Sequence, residues 1–144
     1  MLFQNQDSGL KLDIVAYELP EGVGDPQSDD RNWLMLRATW NNDGELVKDS
    51  NCCLLTYELQ EMTAGLKVLN AGIRDEYRSD FTEPYFSLSA RADGDAFVFE
   101  VSFYLPNVMY GEDTAEIDCR MDKAQMRALL DELTSLCEKF PDRP

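Results

Sequence analysis

From Phe97 to Leu105 the chain places a large apolar residue at every second position: Phe97, Phe99, Val101, Phe103 and Leu105 alternate with Val98, Glu100, Ser102 and Tyr104. A period of two is the signature of a strand with one buried face, and it is incompatible with the 3.6-residue period of a helix. Burying each of these five groups is worth roughly 1.5–3 kcal/mol, so the run demands a sheet with a substantial core beneath it. Asp93-Gly94 lies just upstream and supplies hairpin chemistry, and Phe86, Leu88 and Ala90 alternate on its far side. This hairpin is expected to be the heart of the fold.

The same periodicity recurs earlier. Leu10, Leu12, Ile14 and Ala16 alternate with Lys11, Asp13, Val15 and Tyr17. Leu34, Leu36, Ala38 and Trp40 alternate with Trp33, Met35, Arg37 and Thr39. Asn42-Asp43-Gly44 then turns the chain into a strand ending at Cys52-Cys53-Leu54-Leu55. Thr56 is placed to N-cap a helix in which Leu59, Met62, Leu66 and Leu69 form a stripe, Glu58 favours the positive end of its dipole, and Gly72 stops it. A strand over Ala115–Met121 leads to Asp122, with Gln125 three residues on in the manner of a capping box. Met126, Leu129, Leu130, Leu133, Cys137 and Phe140 line the last helix, which Pro141 ends.

These elements predict an α+β fold in the order βββαβββα: an antiparallel sheet of about six strands in two hairpin-rich groups, covered by two helices. A chain of 144 residues suits one domain spanning 1–144. The stretch 20–32, rich in glycine, proline and acids, reads as a solvated, mobile loop. There is no internal sequence repeat.

Charge limits function. The 28 Asp and Glu residues against 13 Lys and Arg leave a formal charge of −15. A surface of that sign repels phosphates, so nucleic acid is not an expected partner, whereas a basic protein is. Acidity for solubility alone is the competing explanation. No apolar run approaches a membrane span and the first residues do not form a signal peptide, so a cytoplasmic, membrane-free protein is expected. Cys52, Cys53, Cys119 and Cys137 have no paired spacing and read as reduced, mostly buried thiols.

Histidine is absent, which removes the commonest general base and the commonest metal ligand. Without a CxxC pair or a phosphate-cradling glycine motif, no cofactor and no metal are expected. The acid pairs Asp29-Asp30, Glu112-Asp113 and Glu116/Asp118 are the remaining basis for catalysis, and solvated surface is the stronger reading of them. Aromatic residues beside acids suit an interface, because a ring supplies contact area while carboxylates steer a basic partner. Asp29, Asp30, Trp33, Tyr110, Glu112 and Asp113 are therefore the expected partner-binding positions. Tyr57, Tyr77, Tyr85 and Tyr104 are further aromatic candidates, with core cover the competing role for Trp33, Tyr57 and Tyr85.

Three stretches resemble the WapI-like immunity protein family. They are Tyr17-Glu18-Leu19-Pro20 leading to Asp29-Asp30-Arg31-Asn32-Trp33-Leu34, then Leu54-Leu55-Thr56-Tyr57-Glu58-Leu59, and Phe81-Thr82-Glu83-Pro84. Tyr57 stands where family members often carry Trp. The resemblance implies a small bacterial protein that neutralises a toxin domain, in the founding case a nuclease acting on tRNA. The expectation is thus a non-catalytic binding domain for a basic, nuclease-like toxin. A carboxylate-only enzyme or metal-dependent hydrolase, and a small-ligand-binding or structural module, are the alternatives.

Overall fold

A computed structural model describes residues 1–107 and 113–144. Among the described residues, eight strands and two α-helices occur in the order β1 (Leu2–Gln4), β2 (Ser8–Tyr17), β3 (Trp33–Asn42), β4 (Glu45–Leu55), α1 (Thr56–Asn70), β5 (Glu76–Arg78), β6 (Phe86–Asp93), β7 (Ala96–Tyr104), β8 (Thr114–Met121) and α2 (Lys123–Lys139). The strands form two antiparallel four-stranded sheets, β1-β2-β3-β4 and β5-β6-β7-β8, each strand beside its neighbour in sequence. The expected single sheet of about six strands is thereby corrected to eight strands in two sheets. The α+β class, the antiparallel pairing and the two helices stand. The added strands, β1 and β5, are three residues each and lie at sheet edges, too short for a period of two to show.

Although the sequence carries no repeat, its elements do: a four-stranded meander followed by a helix occurs twice. Both sheets bury one face in a common core that also takes the apolar stripes of α1 and α2. The sheets meet where β1 runs beside β8. There Asn5 Nδ2 donates to the Asp118 carbonyl at 3.0 Å, and the Phe3 and Phe99 rings lie 5.9 Å apart. All five apolar residues of the 97–105 run are buried, as are Phe86, Leu88 and Ala90 opposite them.

Local departures from the alternating pattern have physical causes. A bulge between Ile14 and Ala16 adds a residue to β2, so Ala16 turns outward and half-buried Tyr17 takes the inward position against Phe140. A second register shift, between Leu34 and Met35 of β3, lets Cys53, Leu54 and Leu55 all be buried in succession. The β3–β4 turn has φ of +52° at Asp43 and +83° at Gly44, the pair of left-handed residues that a two-residue hairpin needs to match strand twist.

Helix α1 begins one residue earlier than expected. Leu55, not Thr56, is its N-cap, and the carboxylate of Glu58 reaches back to accept the Leu55 N–H at 3.0 Å. Thr56 is the first helical residue, and its hydroxyl donates to Asp142. The α2 capping box forms as expected: Asp122 accepts from the Gln125 N–H and Gln125 Oε1 accepts from the Asp122 N–H, both at 2.8 Å. Cys53 and Cys119 are buried, Cys52 and Cys137 half-buried, and all four are free thiols.

Candidate functional site

The sequence-expected contact residues fall in separate places. Asp29 and Asp30 are exposed in the β2–β3 connection, where a short 3-10 turn (Asp30–Asn32) leads into β3 and half-buried Trp33. Both carboxylates also shape the chain locally. Asp30 Oδ2 accepts from the Asp25 N–H at 3.1 Å, and Asp29 Oδ2 accepts from the Tyr57 hydroxyl at 3.4 Å. Arg31 holds the same loop by donating to the Gly22 and Gly24 carbonyls. The segment after α2 closes over it, since Arg143 lies 4.1 Å above the Tyr17 ring and donates to the Leu19 carbonyl, while Asn32 and Arg143 exchange two hydrogen bonds. Tyr57 is exposed beside Asp29, and its hydroxyl is held above the usual pKa first by partial burial and then by the Asp29 and Glu58 carboxylates.

Asp113 stands at the entry to β8, where its carbonyl accepts the Leu105 N–H. No hydrogen bond or ion pair among the described residues joins it to Asp29 or Asp30. Tyr110 and Glu112 lie outside the described residues. The other aromatic candidates pack against structure: the ring of half-buried Tyr85 lies tilted against that of Tyr104 with centroids 5.3 Å apart, and Tyr77 leans on α1 at Gly65.

A candidate site that strand periodicity alone did not reveal occupies the outer face of the second sheet. Registration brings Ser87, Ser102 and Glu116 into one cross-strand row and Ser89, Glu100 and Asp118 into the next, with Arg78 of β5 opposite Ser89. Because the serines are small, they leave a groove of about 450 Å³ bounded by Arg78, Glu100, Glu116 and Asp118. A smaller depression, whose lining includes Glu76, Arg78, Ser89, Arg91, Val98 and Glu100, continues it toward the β6–β7 turn. Glu116 and Asp118 share a face, as alternation along one strand requires, and Glu100 joins them from β7.

Three arginines share this face: Arg78 borders the groove, Arg91 borders the smaller depression, and Arg120 lies toward the β6–β7 turn. Arg120 pairs with Asp93 at 2.6 Å, which holds the Asp93 carboxyl below its usual pKa through that hydrogen bond, and Arg78 lies 3.8 Å from Glu76. None of the ion pairs among the described residues includes Glu100, Glu116 or Asp118. Nor is there, among the described residues, a group of three His, Cys, Asp or Glu side chains arranged to hold a metal ion. The outer face of the first sheet differs in sign. It carries Lys11, Arg37 and Lys48 with Asp13, beside exposed Leu2, Val15 and Leu46.

Two helix-packed antiparallel sheets, one with a broad polar groove on its outer face, define a small α+β protein whose candidate site is an open surface. The chain belongs to the immunity protein WapI-like family, whose sequence profile matches residues 1–141. No curated protein matches the chain. Among solved structures, one titled as a guideRNA-binding protein complex bound to a gRNA is similar over 90% of this chain and 89% of that one, with 14% identity and a TM-score of 0.43. No helix among the described residues is long and apolar enough to cross a membrane.

Proposed function

We propose that the protein is a non-catalytic immunity protein that binds a basic, nuclease-type toxin domain in the cytoplasm and blocks the surface with which that domain holds its substrate. The observation that carries this reading is membership of an immunity protein family along almost the whole chain. Its charge of −15 supports it, since a nuclease must present cations to phosphates and an acidic protein competes for the same cations. The absence of histidine fits a protein that works by occlusion and needs no general base. Asp29, Asp30, Trp33 and Asp113 are proposed contacts, as are Tyr110 and Glu112, which lie outside the described residues.

Co-expression with a toxin domain encoded by a neighbouring gene tests the proposal. Cells making both should grow, cells making the toxin alone should not, and the purified proteins should associate with an affinity that falls steeply as salt rises. A wild-type protein that neither binds nor protects would refute it.

A further inference from the structure

We propose that the groove across the outer face of the second sheet is the principal docking surface, and that it receives a segment of the toxin domain bearing Lys or Arg side chains. This inference rests on the immunity reading and ranks this face above the β2–β3 loop contacts as the main one.

Shape is the first argument. Neighbouring strands place Ser87, Ser89 and Ser102 side by side where longer residues would fill the surface, and the Ser87 and Ser102 hydroxyls bond each other at 2.7 Å, lying low across the sheet. The result is a trough with taller walls at Glu100, Glu116, Asp118 and Arg78.

Charge within the trough is the second argument. Glu100 and Asp118 are directly opposed across β7 and β8, an arrangement that costs stability in a sheet because like charges face each other at close range. No cation of the described residues forms an ion pair with either. An incoming ammonium or guanidinium group would relieve that repulsion, so the pair is better matched to a bound basic segment than to the free protein.

The third argument is comparative. The outer face of the first sheet presents Lys11, Arg37 and Lys48 against Asp13 and would repel a basic partner, whereas on the second sheet Arg78, Arg91 and Arg120 are outnumbered by acids. In the β2–β3 loop, Asp29 and Asp30 each already accept an internal hydrogen bond. Only the second sheet offers carboxylates that are exposed, unpaired and set in a concave surface among these three regions.

Binding of the adjacent-gene toxin domain should be compared for the wild-type protein, a groove variant (Glu100→Gln, Glu116→Gln, Asp118→Asn) and a loop variant (Asp29→Asn, Asp30→Asn), with thermal midpoints measured for each. The groove variant is expected to bind about tenfold more weakly or worse at low salt and to lose much of the salt dependence, while its thermal midpoint stays level or rises. Glu116→Lys, which faces Ser102 and leaves the Glu100–Asp118 pair untouched, should weaken binding by itself. If the wild-type protein binds and both groove variants bind as tightly, the groove is not the docking face, whatever the loop variant does. Failure of the wild-type protein to bind at all removes the immunity reading and this inference with it.

Discussion

Asp49 and Asn107 are joined by two hydrogen bonds: the Asp49 carboxylate accepts the Asn107 backbone N–H at 2.9 Å and its side-chain amide at 2.7 Å. Asp49 is buried on the inner face of β4, so this acid fastens the connection that follows β7 to the edge of the other sheet. Removing the carboxylate leaves a donor pair without an acceptor, and charge-assisted bonds of this kind are worth about 1.5–3 kcal/mol. Asp49→Ala should lose about that much in urea denaturation, and Asp49→Asn clearly less. Equal losses for the two variants would show that the charge and the acceptor geometry are not what matters.

Gly65 sits within α1, where glycine costs up to about 1 kcal/mol relative to alanine. A Cβ there would collide with Cδ1 and Cε1 of the Tyr77 ring, closer than packed atoms approach. Ring contact therefore outweighs helix propensity, and Gly65→Ala should be destabilising by about 1–3 kcal/mol. In a Tyr77→Ala background the same change should become neutral or stabilising. A double-mutant cycle with no coupling between the two positions would contradict the contact.

The α2 start is held by the reciprocal Asp122–Gln125 bonds. Asp122→Ala should cost about 1 kcal/mol, measured as a shift in chemical denaturation midpoint with an unchanged slope, and Asp122→Ser should restore most of it. A loss as large for serine as for alanine would mean the side-chain oxygen is not the cap.

Alkaline pH should weaken the fold. Burial pushes the Cys53 thiol up to about 12 from 9.0, and burial followed by the nearby Glu61 and Glu58 carboxylates pushes Tyr77 up to about 12 from 10.0. Cys52 and Cys119 rise to about 11, in each case chiefly through burial. For these acids the unfolded chain releases its proton first. Between pH 9 and 12 the folded state therefore holds more protons, and stability falls as pH rises through that window. Thermal midpoints measured from pH 7 to 11 should stay level to about pH 9 and then decline. The thiols should also react slowly with disulfide reagents at pH 8, and fast reaction of Cys53 in the native protein would contradict its placement.

The strand faces, both helices and the two hairpin turns were legible in the residues because they depend on local period and local turn chemistry. Phe97 to Leu105 is the plainest case, and the capping pair Asp122 and Gln125 another. Membership of the immunity family could be anticipated for a related reason, since Leu54–Leu59 and Phe81–Pro84 carry helix-start and strand-start chemistry in linear motifs. Tertiary structure decided what depends on residues distant in sequence. The split into two sheets follows from which edges meet, and β1 and β5 become strands only because longer neighbours offer them hydrogen bonds. Tyr17 replaces Ala16 on the inward side, against the edge of the core, because a bulge shifts the register. The groove exists because three strands bring Ser87, Ser102 and Glu116 into one row and Ser89, Glu100 and Asp118 into another. A charge of −15 can be counted along the chain. Which carboxylates remain unpaired, and that those of the second sheet lie on a face distinct from Lys11, Arg37 and Lys48, depends on cross-strand pairing, because period two tells a residue its face but not its neighbour.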